Sequence, residues 1–113
     1  MVLNAATLRE YMTLTSITEI VDNQFSTAIS DTTSILLSIT DDEIALRYYS
    51  AYILAKSVNW KEIKKNADVE FEKPNPDTYL DLYNLRMDAL TRLNTDNESQ
   101  GTGMIVNSDP KYN

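Results

Sequence analysis

Two places in the chain set reactive side chains at a spacing that chemistry can use: the consecutive carboxylates Asp41, Asp42 and Glu43, and Ser57 four residues ahead of Lys61. Clustered carboxylates are ligands for a hard cation, but the glycine-centred loop that wraps calcium does not follow them. Thr40-Asp41-Asp42-Glu43 has instead the form of a capping box, with three anions in a first turn where the partial positive charge of a helix start favours them. A serine and a lysine four apart can meet on one helix face, as a nucleophile and its base must, yet nothing beside them is placed to hold an oxyanion. A solvated helix face is the better reading. The chain has no histidine and no cysteine, so it lacks the side chain that titrates near neutrality unaided and the strongest nucleophile. Neither a base nor a nucleophile stands out. No enzyme is expected, and no catalytic residue, metal ligand or cofactor is assigned.

Trp60 with Lys61, Lys64 and Lys65 is the one basic and aromatic cluster, a combination that contacts phosphate and stacks bases in other proteins. Three lysines beside Glu62 make a weak patch, better read as a solvated helix end, with an acidic partner surface as the next choice. Tyr48, Tyr49 and Tyr52 cannot all face one core, because consecutive helical positions point about 100° apart. An outward tyrosine among apolar neighbours is an interface candidate.

These side chains must be positioned by helices. Two glycines and three prolines in 113 residues leave few breaks, and apolar residues recur at three and four residue steps. A short first helix is expected within residues 1–14, with Leu8, Tyr11 and Met12 on one face. Ser16-Ile17-Thr18-Glu19 reads as a capping box that starts a second helix, whose stripe is Ile17, Ile20, Val21, Phe25 and Ala28. Residues 30–39 read as a shorter helical piece in which Ile35, Leu36, Leu37 and Ile39 must be buried. From Thr40 a long helix runs to about residue 59, with cations from Lys61 to Lys65 near a helix C-terminus and Asn66 as its end. Val69-Glu70-Phe71-Glu72 alternates like a short strand. Asn75 reads as an N-cap with Pro76 at the first helical position, and Tyr79, Tyr83, Met87 and Leu90 line one stripe of the last helix. The expected fold is all-α: a small helical bundle of about four helices, with a short extended link before the last helix and a flexible C-terminal tail. The helical domain is placed at 1–94 and the extended tail at 95–113, where composition turns to Asn, Asp, Ser, Gly and Thr around the apolar island Met104-Ile105-Val106.

Seventeen acidic against ten basic side chains give a net charge of −7, which repels a polyanion and argues against tight, general nucleic-acid binding. The absence of cysteine removes any mark of an oxidising compartment. No apolar run is long enough to span a membrane and no signal-peptide pattern opens the chain, so manufacture and use in a cytosol, without a membrane partner, are expected.

Taken together, the order of Leu8-Arg9-Glu10-Tyr11-Met12, a helical stretch over Ile17 to Ile39, Ala51-Tyr52-Ile53-Leu54-Ala55 inside a long helix, Val69-Glu70-Phe71, the proline turn and Tyr79 to Leu93 resembles the head-to-tail connector, or adaptor, proteins of tailed bacteriophages. The likeness covers most of residues 7 to 94 as a pattern of elements and apolar positions, without an invariant motif; the threonine-rich stretch from Thr27 to Thr40 departs from it. It implies a virion protein at the head–tail interface, assembled in the host cytoplasm. Such a subunit forms a homo-oligomeric ring, typically of twelve copies, that joins the portal protein to the next head-closure or tail protein, while DNA passes through without specific binding. A conduit lined by carboxylates lets DNA slide without sticking. The oligomer and partner interface is then expected at Tyr49, Tyr52, Trp60, Phe71, Met104, Ile105 and Val106. The alternative is a small acidic helical binding module or regulator that engages a basic partner surface as a charge mimic.

Overall fold

The computed structural model describes residues 3–102, in which five helices and no strand are present. They are α1 (Ala5–Tyr11), α2 (Asp22–Ile35), α3 (Glu43–Ser57), α4 (Trp60–Asn66) and α5 (Pro76–Thr102). The fold is all-α, with one helix more than the sequence suggested. No helix among the described residues is long and apolar enough to cross a membrane.

α1 is bounded by local chemistry at both ends. Asn4 Oδ1 accepts the Thr7 N–H at 3.0 Å while Thr7 Oγ1 accepts the Asn4 N–H at 2.8 Å, a reciprocal capping box. At the other end the Thr13 N–H donates to the Glu10 carbonyl and the Leu14 N–H to the Arg9 carbonyl, each at 3.0 Å. This is a Schellman closure, and it puts Thr13 at φ 57°, a left-handed position that glycine usually fills.

The expected helix start at Ser16 is not there. Residues 12–21 form irregular turns, and α2 begins at Asp22, with the Val21 N–H donating to Gln24 Oε1 at 3.2 Å. The reason lies in Arg9. Its guanidinium donates to the carbonyls of Leu14 (3.3 Å), Ile17 (2.9 Å) and Ile20, pairs with Asp22 at 2.9 Å, and lies 4.4 Å from the centre of the Phe25 ring. Carbonyls that a helix would have satisfied are satisfied by one side chain. Leu14, Ile17 and Ile20 are thereby free to turn fully into the core.

From Asp22 the helix is continuous to Ile35, so residues 30–35 belong to α2 and not to a separate piece. The expected burial of residues 35–39 also fails. Leu36 alone is buried, whereas Ile35, Leu37 and Ile39 are 52%, 81% and 58% exposed. Four apolar residues in five positions at a helix end cannot all face one way. α3 opens two residues later than expected for a long helix from Asp41: Asp42 is the N-cap, its carboxylate accepting the Ala45 N–H at 2.9 Å, and Thr40 Oγ1 accepts the Asp42 N–H at 3.1 Å.

Helices α1, α2 and α3 pack against one another. Their shared core holds Leu8, Met12, Leu14, Ile17, Ile20, Phe25 and Leu54, with Ala28, Ala51 and Ala55 where the helices meet. Full burial of a side chain such as Phe25 or Leu8 stabilises the fold by about 1.5–3 kcal/mol. α3 stops at Ser57 because Val58 turns to extended backbone; Asn59 Oδ1 then caps α4 by accepting the Glu62 N–H at 3.3 Å. The break folds Trp60 back onto the end of α3.

Residues 67–75 have no regular structure, bend at Asp68 and Val69 and pair with no strand, so the alternation of Val69 to Glu72 does not make a β element; it places Phe71 half-buried between exposed acids. Asn75 Oδ1 accepts the Asp77 N–H at 3.0 Å at the start of α5, with Pro76 as its first residue. The chain divides within α5, one unit ending at Tyr83 and the next beginning at Asn84, where the sequence suggested a boundary at 94/95. α5 also continues through residues 95–102, since no proline or glycine interrupts it before Gly101. The helix therefore takes the first part of the expected tail; Met104, Ile105 and Val106 lie outside the described residues.

Candidate functional site

Tyr49 and Tyr52, two of the expected interface residues, stand on the half-buried side of α3 with their rings edge-on at 5.3 Å. Together with Ile53 and Lys56 of α3 and Asp31 and Ile35 of α2 they line a furrow of ≈ 490 Å³ between the two helices. It continues along α2 toward Asn23 and Gln24, with Asp31 and Ile53 shared by both parts. The Lys56 ammonium donates to the Tyr52 hydroxyl at 3.2 Å and lies 5.1 Å from the centre of that ring, which fixes a cation at the edge of an apolar cleft. Tyr49 also meets Tyr83 edge-on at 5.0 Å, and burial, followed by the proximity of Tyr49, pushes the Tyr83 phenol above its usual range.

Trp60 does not belong to this surface. It is 5% exposed, its indole N–H donates to the Ala55 carbonyl at 2.7 Å, and its ring lies 6.0 Å from that of Phe71. An apolar body with its one donor satisfied is a core residue, so Trp60, expected at the interface, has little surface to offer a partner. Phe71 is half-buried over it, with the Lys64 ammonium 5.7 Å from its ring centre. The structure thus brings Trp60 and Phe71 together, and separately Tyr49 and Tyr52.

A second aromatic group joins α1, α3 and the start of α5. Tyr11 lies 6.0 Å from Tyr48 and 5.9 Å from Tyr79, with the Arg47 guanidinium 4.4 Å from the Tyr11 ring centre. Burial is the main reason the Tyr11 phenol is pushed up to about 12; neighbouring Tyr48 adds to this, Arg47 opposes it, and Tyr79 adds a little more. Burial also raises Tyr79.

The candidate chemistry of the sequence is dispersed. Asp42 is engaged as a cap, and among the described residues no three acidic side chains converge on a point that could hold a metal ion. Ser57 ends α3 and Lys61 lies in α4, so they do not share a helix, and the Ser57 hydroxyl donates to the Leu54 carbonyl at 3.3 Å. What sequence reasoning missed is the exposure of Ile35, which lines the furrow, and of Leu37 and Ile39, which follow it in the chain. The available signal was the density of apolar residues next to Ser34, Ser38 and Thr40, which marks a helix end better than a helix middle.

No protein-family model matches the chain, and neither a curated protein nor a solved structure matches it.

Proposed function

We propose that this protein is a non-catalytic structural adaptor: a small helical subunit that assembles with copies of itself and connects two larger parts of a particle, as its resemblance to the head-to-tail connectors of tailed phages implies. The observation that carries the reading is the apolar surface at Ile35, Leu37 and Ile39, exposed beside a tyrosine-lined furrow. Large apolar side chains exposed close together in sequence on a small helical protein are candidates for the place where partners bind. Tyrosines Tyr49 and Tyr52 supply broad, stiff contact area with a hydroxyl at the wet edge. The net charge of −7 suits a ring through which DNA slides without being held.

Negative-stain electron microscopy of the full chain mixed with the portal protein of the virus that encodes it is the direct test. Portal rings capped by an added layer of density are the expected result. Portals left unaltered after stoichiometric mixing would overturn the adaptor reading.

A further inference from the structure

The connection between α2 and α3 carries an apolar knob that ends in an anion. Leu36 roots it in the core at 2% exposure, Leu37 and Ile39 stand in solvent, and Asp41 follows, exposed and with its carboxylate in no hydrogen bond or ion pair among the described residues. The furrow has the opposite character. Ile35, Ile53 and the rings of Tyr49 and Tyr52 form apolar walls, Lys56 supplies a cation on the α3 wall, and Asp31 places an anion on the α2 wall. We propose that Leu37 and Ile39 of one copy of this chain insert into the α2–α3 furrow of a second copy, with Asp41 meeting Lys56 along the α3 wall, away from Asp31.

Size, polarity and charge agree with that occupant. A cavity of about 150 Å³ accommodates a benzene ring, so ≈ 490 Å³ admits two branched aliphatic side chains. Leu37 at 81% exposure has the most to gain from leaving water. The pairing of Asp41 with Lys56 fixes which way the knob enters, since the reverse orientation would set Asp41 against Asp31. Knob and furrow are different residues, so a copy that has given its knob still has an open furrow. Such a heterologous contact passes from copy to copy and closes into a ring where the rotation allows. The inference rests on the adaptor reading for the presence of neighbouring copies.

The chain's lack of cysteine makes disulfide trapping specific. Full-length Leu37→Cys and Ile53→Cys chains are mixed in equal amounts at about 1 mM, a concentration that populates a contact of millimolar Kd, then oxidised and read by mass spectrometry. Ser57→Cys, at an exposed furrow position, serves as a second acceptor should Ile53→Cys fold poorly. The expected result is a mixed 37–53 or 37–57 disulfide in excess of either homodimer. Lys56→Glu on the acceptor should reduce it about threefold, as loss of an exposed ion pair allows, and Asp41→Lys on the donor should restore it. No mixed product, or only homodimers of the Leu37→Cys chain, would each overturn the proposal. The two readings fail separately: a mixed disulfide with uncapped portals keeps this contact and removes the adaptor, whereas capped portals without the disulfide do the reverse.

Discussion

Arg9 holds together a segment that has no secondary structure of its own. Its side chain is 14% exposed and spans from α1 to the start of α2, donating to three successive carbonyl sites and to Asp22. Since the Asp22 carboxylate is itself 80% exposed, that ion pair adds little, and most of the stabilisation comes from satisfying the carbonyls. Arg9→Ala is therefore expected to cost about 3 kcal/mol in urea unfolding, and Arg9→Lys to recover only a minor part, because an ammonium cannot span three carbonyls as the planar fork does. A loss under about 1 kcal/mol in the alanine variant would show that water replaces the guanidinium. Thr13 is the opposite case, a residue working against its backbone. A β-branched side chain at φ 57° is strained by about 1–2 kcal/mol, of which the added freedom of the unfolded chain takes back about 0.5–1 kcal/mol, so Thr13→Gly should raise stability by about 0.5–1 kcal/mol. A lower midpoint in the same unfolding measurement would mean that the Thr13 hydroxyl, which donates to the Met12 carbonyl at 2.6 Å, outweighs the strain.

Element by element, the sequence was most legible where a helix is set by its own residues. Asn75 and Pro76 start α5 where a cap followed by proline must, and the Asp42 carboxylate starts α3 as its cap. It was least legible where a distant side chain decides. The motif at Ser16 is a sound local helix start, but Arg9, seven residues earlier, captures the carbonyls that such a helix needs. The break between α3 and α4 was hidden for a related reason: Lys61 to Lys65 suit a helix C-terminus whether that helix is long or newly begun. What separates them is the Asn59 cap and the return of Trp60 to the Ala55 carbonyl. Tyr49 and Tyr52, expected at an interface from their crowding on one helix, line the furrow, while Trp60 is buried although its lysine neighbours face water. Asn59→Ala should then cost about 1 kcal/mol, the usual value of a lost N-cap, and should loosen Trp60, seen as a red shift of its fluorescence. An unshifted spectrum with unchanged stability would place the cause of the break in Trp60 packing alone.

At the scale of the molecule, the tyrosines give stability a dependence on alkaline pH. Tyr11, Tyr79 and Tyr83 all have phenols raised above the ordinary value of 10.0, chiefly by burial, and Tyr11 is raised to about 12. In the unfolded chain the same phenols ionise near pH 10. Between the two values the unfolded state has released protons that the folded state still holds, so the free energy of unfolding must fall as pH rises. The stabilisation is complete below pH 10, declines above it, and for Tyr11 is gone once pH passes about 12. Because Tyr11 meets both Tyr48 and Tyr79, its ionisation loosens α1 from α3 and from the beginning of α5 together. Two signals followed across this range test the coupling: tyrosinate absorbance and helical circular dichroism. In the wild-type chain the last phase of the absorbance rise should coincide with the loss of helical signal, whereas Tyr11→Phe should keep its helical signal to higher pH, since the ring remains and the titrating group does not. If helicity in wild type and Tyr11→Phe falls at the same pH, alkaline unfolding is driven by another group, and the aromatic joint between α1, α3 and α5 holds the subunit together by packing alone.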